Sequence, residues 1–422
     1  MTTPRNLLPL AVALPGLRVG QLDRDRHGLT SWRPSPVWES QGQHPRLGIA
    51  FLRQPGVRSA GTGLPPWFEN LLPEVGSALR QRLCAAHGVR PSDGFNLLRA
   101  IGNDLSGAVE ISPLDTLLPY DAHQNPDMSP IEAELSNRLR FSLAGMQLKF
   151  SMSMVNERLV LGAVGPGGQW IVKLPGQNYL QLPEVERATM TWARNAQFDV
   201  PDHFTIGTAE LVGVPSGWTV DIPNAFAVRR FELREDGSKI HQEDLCQGLE
   251  LPPLHKYGDS GPRQINLDGT LRFLGDVAGE DGAREMARRI GFVIASGNDD
   301  AHLKNWGLLW GNAERPGLTP CYDLVATVSW GDKHGWSLPG GPELALGLGG
   351  ERRFSRLTQE ILDRHAARSG FPWAKSEILA GIERARDAWA ATEEAMPGLM
   401  RTALLEHWRR VPLLRAMTSL RA

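Results

Sequence analysis

Ala295-Ser296-Gly297-Asn298-Asp299-Asp300-Ala301-His302-Leu303-Lys304-Asn305 carries the most chemistry in this chain, together with Thr319-Pro320-Cys321-Tyr322-Asp323-Leu324 downstream. The first stretch follows a helix-period pattern over residues 281–295. Asp281 is the expected N-cap there, and Met286, Ile290 and Val293 form the apolar stripe. Gly297-Asn298 reads as the helix stop, and an apolar run, residues 306–310, follows. Phosphoryl transfer requires a carboxylate that orients and deprotonates the attacking hydroxyl, oxygen ligands for Mg²⁺ and a cation near the phosphates. Asp300, Lys304, Asn305 and Asp323 supply these groups in the order Asp-x-x-x-Lys-Asn … Asp. Mg²⁺ takes few protein ligands, typically a carboxylate and another oxygen with phosphate and water, which suits Asn305 with Asp323. Capping of a turn explains Asp299 or Asp300 singly but not the whole set. His302 has no second His or Cys at zinc-ligand spacing and reads as a hydrogen-bonding residue.

Upstream, Trp170-Ile171-Val172-Lys173-Leu174 reads as a strand with Trp170, Val172 and Leu174 on one face and Ile171 and Lys173 on the other. A strand lysine either snorkels to solvent or meets an anion, and in kinase-like folds it pairs with a helix glutamate. Glu186, near the start of the next helix, is the expected partner. That helix is opened by Pro183 and Glu184, with Val185, Thr189 and Trp192 on one face. No GxxxxGK[ST] loop occurs. Gly165-Pro166-Gly167-Gly168 reads as a hairpin turn joining strands at 158–164 and 169–174. Ser142-Leu143-Ala144-Gly145-Met146-Gln147-Leu148-Lys149 is the better phosphate-loop candidate, having small residues, backbone N–H groups and a cation.

The rest of the chain bounds this reading. Its 422 residues suit two or three domains or lobes, and 41% apolar residues suffice for a sizeable core. The formal charge of −2 excludes a strongly basic nucleic-acid coat and a highly charged disordered chain. Cys84, Cys246 and Cys321 are far apart, with no CxxC, so neither a disulfide framework nor a cysteine zinc module is expected, and a reducing cytoplasm is. The apolar stretch at 7–17 is interrupted by Pro9 and Pro15, which argues against a signal peptide. No membrane span is expected.

The order of elements reads as a small β-rich domain, an α+β lobe and a helical lobe. The first includes a strand at 47–52 and a helical patch at 64–87 with Leu71, Leu72, Val75, Leu79 and Leu83 as its stripe. Residues 118–128, rich in breakers, are the expected linker. A strand is expected at 224–231, and helices at 357–369, 374–394 and 398–418. Segment 397–422 holds five arginines against one glutamate. Met400, Leu404, Trp408 and Val411 make its inner stripe, leaving a basic face that is either solvated or a surface for an acidic partner.

Taken together these motifs resemble the HipA family of bacterial serine/threonine-kinase toxins. Phe141 to Lys149 looks like that family's Ser-Ile-Ala-Gly-x-Gln-x-Lys loop, and Ile171-Val172-Lys173-Leu174-Pro175 like its strand-lysine motif. Gln242-Glu243-Asp244-Leu245-Cys246-Gln247, Leu251-Pro252 and Lys256-Tyr257 are similar to a further family segment. The segment 298–305 looks like the catalytic loop, and 320–324 like the metal-binding segment. Trp67-Phe68-Glu69-Asn70-Leu71-Leu72-Pro73-Glu74 and residues 95–109 resemble the N-terminal subdomain.

The resemblance implies an α+β, protein-kinase-like two-lobed fold: a β-rich N-terminal subdomain at 1–120, a kinase-like N-lobe at 129–234, and a helical C-lobe at 235–422. It implies Asp300 as catalytic base and Asn305 and Asp323 as Mg²⁺ ligands. ATP would be contacted by Ala144, Gly145, Met146, Gln147, Leu148, Lys149 and Lys173, and bordered by His302, Leu303, Lys304, Asn305, Tyr322 and Asp323. Arg229, Arg230 and Phe231 would form the adenine hinge, and Glu186 would pair with Lys173. Ser142 matches the family's autophosphorylated serine. A phosphate there adds roughly −1.5 to −2 charge beside the nucleotide loop, a physical basis for self-inactivation. Two departures are Arg229, where the family often has an acidic residue, and Asp299 beside Asp300.

The implied activity is ATP- and Mg²⁺-dependent phosphorylation of a protein hydroxyl, on a translation component such as an aminoacyl-tRNA synthetase, with growth arrest as the consequence. The implied partner is a helix-turn-helix, HipB-like antitoxin with which it would bind operator DNA. Two rivals remain at this stage: a small-molecule or lipid kinase of the same fold, and a non-catalytic DNA-bound corepressor that uses the fold only to grip an antitoxin.

Overall fold

The computed structural model of the chain describes residues 8–40, 46–114, 148–156, 158–161, 168–258, 264–311, 315–331 and 335–418. It divides into two compact units, Met1–Leu180 with Ile206–Leu254, and Gln181–Thr205 with His255–Ala422. The expected linker, Ser142 and residues 144–147 lie outside the described residues.

In the first unit, β1 (Leu10–Leu14), β2 (Leu17–Arg24) and β3 (Thr30–Pro34) precede short helices α1 (Pro36–Ser40) and α2 (Ile49–Arg53). β4 (Arg58–Ser59), α3 (Pro66–Glu69), α4 (Ala78–Ala86), α5 (Gly94–Ile101) and β5 (Glu110–Pro113) follow. The sheet order is β4-β3-β2-β1-β5, with antiparallel neighbours. Leu10, Val12 and Leu14 alternate inward along β1, as a half-buried strand requires. Trp32, Phe51, Trp67 and Phe68 form an aromatic core with tilted and edge-on ring contacts, the geometries that ring quadrupoles favour.

Two expectations are corrected here. The 47–52 run is not a strand: its second half is helix α2, whose first N–H, on Ile49, donates to Glu243 Oε1 at 2.8 Å. Glu243 Oε2 accepts from Trp67 Nε1 at 3.0 Å. A short apolar run does not distinguish a buried strand from a buried helix; the buried carboxylate from far along the chain decides it. The 64–87 patch is two short helices, α3 and α4, interrupted around Pro73. Leu71, Leu72, Leu79 and Leu83 are buried as expected, but Val75 is 65% exposed.

The second sheet of this unit contains β6 (Leu148–Val155), β7 (Arg158–Leu161), β8 (Trp170–Leu174), β9 (His203–Gly207) and β10 (Asn224–Arg229) in the order β7-β6-β8-β10-β9. The expected hairpin between the 158–164 and 169–174 runs is therefore wrong. β7 pairs with β6, and β6 lies between β7 and β8. Periodicity located the strands, but pairing depends on β6, whose period-2 pattern (Leu148, Phe150 and Met152 against Lys149 and Ser151) went unread. Near this crossing, Gly168 runs so close to Met152 that a side chain there would collide with backbone.

The second unit is mainly helical. It contains α6 (Leu182–Asn195), whereas β11 (His241–Asp244) and α7 (Leu245–Gly248) belong to the first. Val185, Thr189 and Trp192 are fully buried along α6, as their spacing predicts. α8 (Leu267–Ser296) is longer than the 281–295 pattern suggests, because a second helix joins it across Gly279, which has φ 77° and ψ 179°. Met286, Ile290 and Val293 are its buried stripe. β12 (Gly307–Trp310) and β13 (Gly317–Leu318) pair antiparallel, as do β14 (Glu343–Leu348) and β15 (Glu351–Arg353). α9 (Gln359–Ser369), α10 (Ala374–Asp387), α11 (Gly398–Arg410) and α12 (Pro412–Thr418) complete the unit.

α8 and α10 approach closely through Gly291 and Gly381, where a methyl group would strike the opposing backbone. Glu377 clamps the same interface, accepting from Arg284 and Arg288 at 2.7 Å each. Met400, Leu404 and Val411 are buried as expected of the C-terminal stripe, and Pro412 divides the 398–418 pattern into two helices. Among the described residues no helix is long and apolar enough to cross a membrane.

Candidate active site

The loop that follows α8 is built almost entirely by hydrogen bonds. Gly297 ends the helix in the left-handed region, φ 59° and ψ 36°, the usual conformation of a helix-terminating glycine. Its carbonyl accepts from Thr327 Oγ1 at 3.0 Å, and that same oxygen accepts from the Asp299 N–H at 2.8 Å. Asn298 is buried and its Oδ1 accepts from the Asp300 N–H at 3.0 Å. Asp300 is half-buried; its Oδ1 accepts from the Tyr257 hydroxyl at 2.7 Å.

Asn305 Nδ2 donates to the Asp300 carbonyl at 2.8 Å. Its amide nitrogen is thus committed, and the side-chain oxygen is the atom left to meet a cation. Asn305 and Asp323 line one pocket with Asn298, Ala301, Tyr322 and Leu324. Asp323 has φ 53°, a left-handed conformation that Asp tolerates better than most residues. The segment carrying it is held within this unit: the Cys321 N–H donates to the Asp199 carbonyl at 2.8 Å, the Ala326 N–H to Thr189 Oγ1 of α6 at 3.1 Å, and Tyr322 Oη to the Lys304 carbonyl at 3.0 Å. Arg289, buried on α8, donates to the Thr319 carbonyl at 2.7 Å.

Electrostatics sort the candidates. Burial holds the His302 imidazole down to about 4; the Asp300 and Asp323 carboxylates pull it up and Lys256 and Lys304 push it down. His302 is therefore neutral near pH 7, and its Nδ1 is buried without a hydrogen-bond partner among the described residues. Burial pushes the Cys321 thiol up to about 11, so it remains protonated and is not a thiolate ligand. Among the described residues no three His, Cys, Asp or Glu side chains come together to hold a metal ion. The donor set at this position is Asn305 Oδ1 and the Asp323 carboxylate, which fits Mg²⁺: it binds through one or two protein oxygens and completes its octahedron with phosphate and water.

The first unit contributes a different feature. Lys149 on β6 and Lys173 on β8 are Cα partners in the antiparallel ladder, and both side chains are buried, at 8% and 4% exposure. Residues directly opposite share a face, and like charges there are unfavourable. The sequence marked both lysines separately; their cross-strand pairing was not readable without β6. Lys173 Nζ also lies 5.4 Å from the Phe226 ring centroid. Arg229 is exposed at the end of β10. The Arg230 side chain is committed elsewhere, to Glu232 at 2.8 Å and Asp104 at 3.1 Å. Its backbone is engaged as well, the N–H donating to the Gln169 carbonyl at 2.8 Å. Glu186 is buried on α6, in the second unit.

Residues 10–112 match the HipA N-terminal domain, and residues 141–395 match the HipA-like C-terminal domain. The chain belongs to the HipA family. A Sinorhizobium fredii protein named as a candidate kinase, Y4dM, is 34% identical over 402 residues, covering 92% of this chain and 93% of the relative. The serine/threonine-protein kinase toxin HipA of Shewanella oneidensis is 25% identical over 375 residues, covering 79% of this chain and 78% of the toxin. Among solved structures, the Shewanella oneidensis HipA chain in complex with HipB and operator DNA has a TM-score of 0.72 at 22% identity, covering 98% of this chain and all of that one. The fold is thus the α+β, kinase-like HipA fold that the motifs implied.

Of the candidates named from the sequence, Asp300, His302, Leu303, Lys304, Asn305, Tyr322 and Asp323 come together within the second unit. Leu148, Lys149, Lys173, Arg229, Arg230 and Phe231 belong to the first. Three contributors were missed. Thr327 secures both Gly297 and Asp299, and Tyr257 holds Asp300. The third is α11, where His407 Nε2 and Trp408 Nε1 each lie 2.8 Å from the carbonyls of Ile294 and Ala295, at the end of α8. Tyr257 carried a signal beforehand, as part of the HipA-like Lys256-Tyr257 pair, and Trp408 as a member of the C-terminal apolar stripe; Thr327 carried none.

Proposed function

We propose that this chain is an ATP- and Mg²⁺-dependent serine/threonine protein kinase, acting as the toxin of a toxin–antitoxin pair. The observation that carries this reading is the hydrogen-bonded loop in which Asn305 is locked to the Asp300 backbone while Asp300 presents a carboxylate. That is the arrangement of base and metal ligand that phosphoryl transfer needs. Asp300 accepts the proton of the acceptor hydroxyl. Asn305 and Asp323 would hold Mg²⁺, which would supply positive charge beside the phosphates. Lys173, Lys149 and the segment Ala144, Gly145, Met146, Gln147 and Leu148 are the phosphate contacts of this proposal, and Glu186 is the partner that the family resemblance implies for Lys173. His302, Leu303, Lys304 and Tyr322 border the nucleotide, and Arg229, Arg230 and Phe231 form the hinge. The domain reading is kept with this proposal: a β-rich subdomain at 1–120, an N-lobe at 129–234 and a C-lobe at 235–422.

The acceptors proposed are a translation component such as an aminoacyl-tRNA synthetase, and Ser142 of the chain itself, whose phosphorylation would repel ATP. The family membership, the toxin named among the relatives and the HipA–HipB–operator complex among structures of this fold support a HipB-like helix-turn-helix antitoxin as partner, with operator DNA bound through the pair, in the cytoplasm. Intact-mass spectrometry after incubation with MgATP tests the kinase, beside Asp300→Asn and Ser142→Ala. One phosphate on the wild type and none on either variant is the expected result. A wild type that neither binds ATP nor gains mass would reject the reading.

A further inference from the structure

We infer that Tyr257 is a positioning residue for the base, assigning one oxygen of the Asp300 carboxylate to itself and the other to the acceptor hydroxyl. This inference rests on the kinase reading above. A carboxylate on a short side chain rotates among several staggered states, and a base that wanders does not meet its proton at hydrogen-bond distance. The Asp300 backbone is fixed on both sides, by Asn298 at its N–H and by Asn305 at its carbonyl. Neither bond reaches the carboxylate. Among the described residues, the side-chain bond it makes is from the Tyr257 hydroxyl to Oδ1, at 2.7 Å, in the range of a charge-assisted O–H···O⁻ bond. Oδ2 is left as the proton-accepting oxygen.

Tyr257 is itself held to the loop it serves. The Leu303 N–H donates to the Lys256 carbonyl at 3.0 Å, so the segment runs along the loop by backbone pairing. The Tyr257 ring meets the His302 ring edge-on, with centroids 5.3 Å apart at 79°. Gly258 follows at φ 72°, its carbonyl accepting from the Ile265 N–H at 3.0 Å. The phenol is thus placed by groups on both sides of it, and its hydroxyl is spent on the base.

Removing the hydroxyl leaves the ring packing intact and frees the carboxylate. Misplacement of a reacting group by about 1 Å costs on the order of 100-fold in rate. The test uses the full chain and MgATP, following ADP formation across ATP concentrations. Tyr257→Phe is expected to lower kcat about 10- to 100-fold while the KM for ATP stays within about twofold. It should have no further effect in an Asp300→Asn background. Thermal stability serves as the folding control, with Tyr257→Leu, which removes ring and hydroxyl together, as the comparison that lowers stability as well. A Tyr257→Phe enzyme as fast as the wild type, or one that loses only ATP affinity, overturns the inference and leaves the kinase reading standing. Phosphate mapped to Tyr257 overturns it also, since the hydroxyl would then be an acceptor. A wild type that forms no ADP overturns the kinase reading and the inference together.

Discussion

Gly297→Ala is the most informative single perturbation of the loop. Two costs add. Gly297 has φ 59°, and an L side chain in the left-handed region costs roughly 1–2 kcal/mol. A Cβ there would also lie 2.7 Å from both methyls of Val328, where ordinary contact begins at 3.4 Å, a shortfall of about 0.7 Å. Val328 cannot retreat: its N–H donates to the Gly297 carbonyl at 3.3 Å, and neighbouring Thr327 holds the same oxygen. Its β-branched side chain has few rotamers to exchange. Overpacking of this kind costs typically 1–3 kcal/mol. The expected total is about 3 kcal/mol, or roughly 6–12 °C in the Tm of a unit of about 200 residues. Differential scanning calorimetry of the full chain reads it, with Val328→Ala as the relief. In that background Gly297→Ala should cost mainly the conformational part, about 1–2 kcal/mol, with a milder contact left against His407 Cε1 at 3.2 Å. A loss below about 0.5 kcal/mol, or one that Val328→Ala leaves unchanged, would refute this account of the loop entry.

Lys173→Met should abolish the stabilisation that MgATP confers, about 2.7 kcal/mol at one hundred times Kd; a variant that keeps its full ligand-induced Tm shift would show that the lysine does not meet the phosphates. Arg230→Met leaves Glu232 without its buried cation, while Asp104 keeps Lys239 at 3.2 Å, and should cost about 3 kcal/mol; Arg230→Met with Glu232→Leu should recover part of it, and equal stability of wild type and single variant in urea would exclude the ion network as a structural element. Burial holds His407 down to about 4, below its ordinary value of 6.5. The unfolded chain therefore binds the extra proton first, and the stability His407 contributes is present above about pH 6.5 and lost as pH falls through 4, by up to about 3 kcal/mol. His407→Gln should flatten that part of the pH–Tm curve; an unchanged slope between pH 6.5 and 4.5 would contradict the sign.

The amino-acid sequence by itself determined the family and the fold class, and it singled out the loop on which the proposed chemistry rests. Asp300, Asn305 and Asp323 were legible because phosphoryl transfer demands particular residue types in a particular order, and order survives in one dimension. The α6 face of Val185, Thr189 and Trp192 and the α8 stripe of Met286, Ile290 and Val293 were legible because a helix writes its own period into neighbouring residues. What escaped was long-range. The 47–52 run became helix α2 under the influence of Glu243, nearly two hundred residues away. The strands at 158–161 and 170–174 were found, but a third strand between them, which set two buried lysines face to face, was not. Tyr257 could be noticed as a motif residue, yet nothing in its spacing says that its hydroxyl meets Asp300. Local periodicity reports which face of an element is buried; it carries no information about which distant group will be buried against it. Pairing, register and the partners of buried polar groups were settled only when the chain closed on itself, because leaving those groups unpaired away from water costs more than almost any local preference supplies.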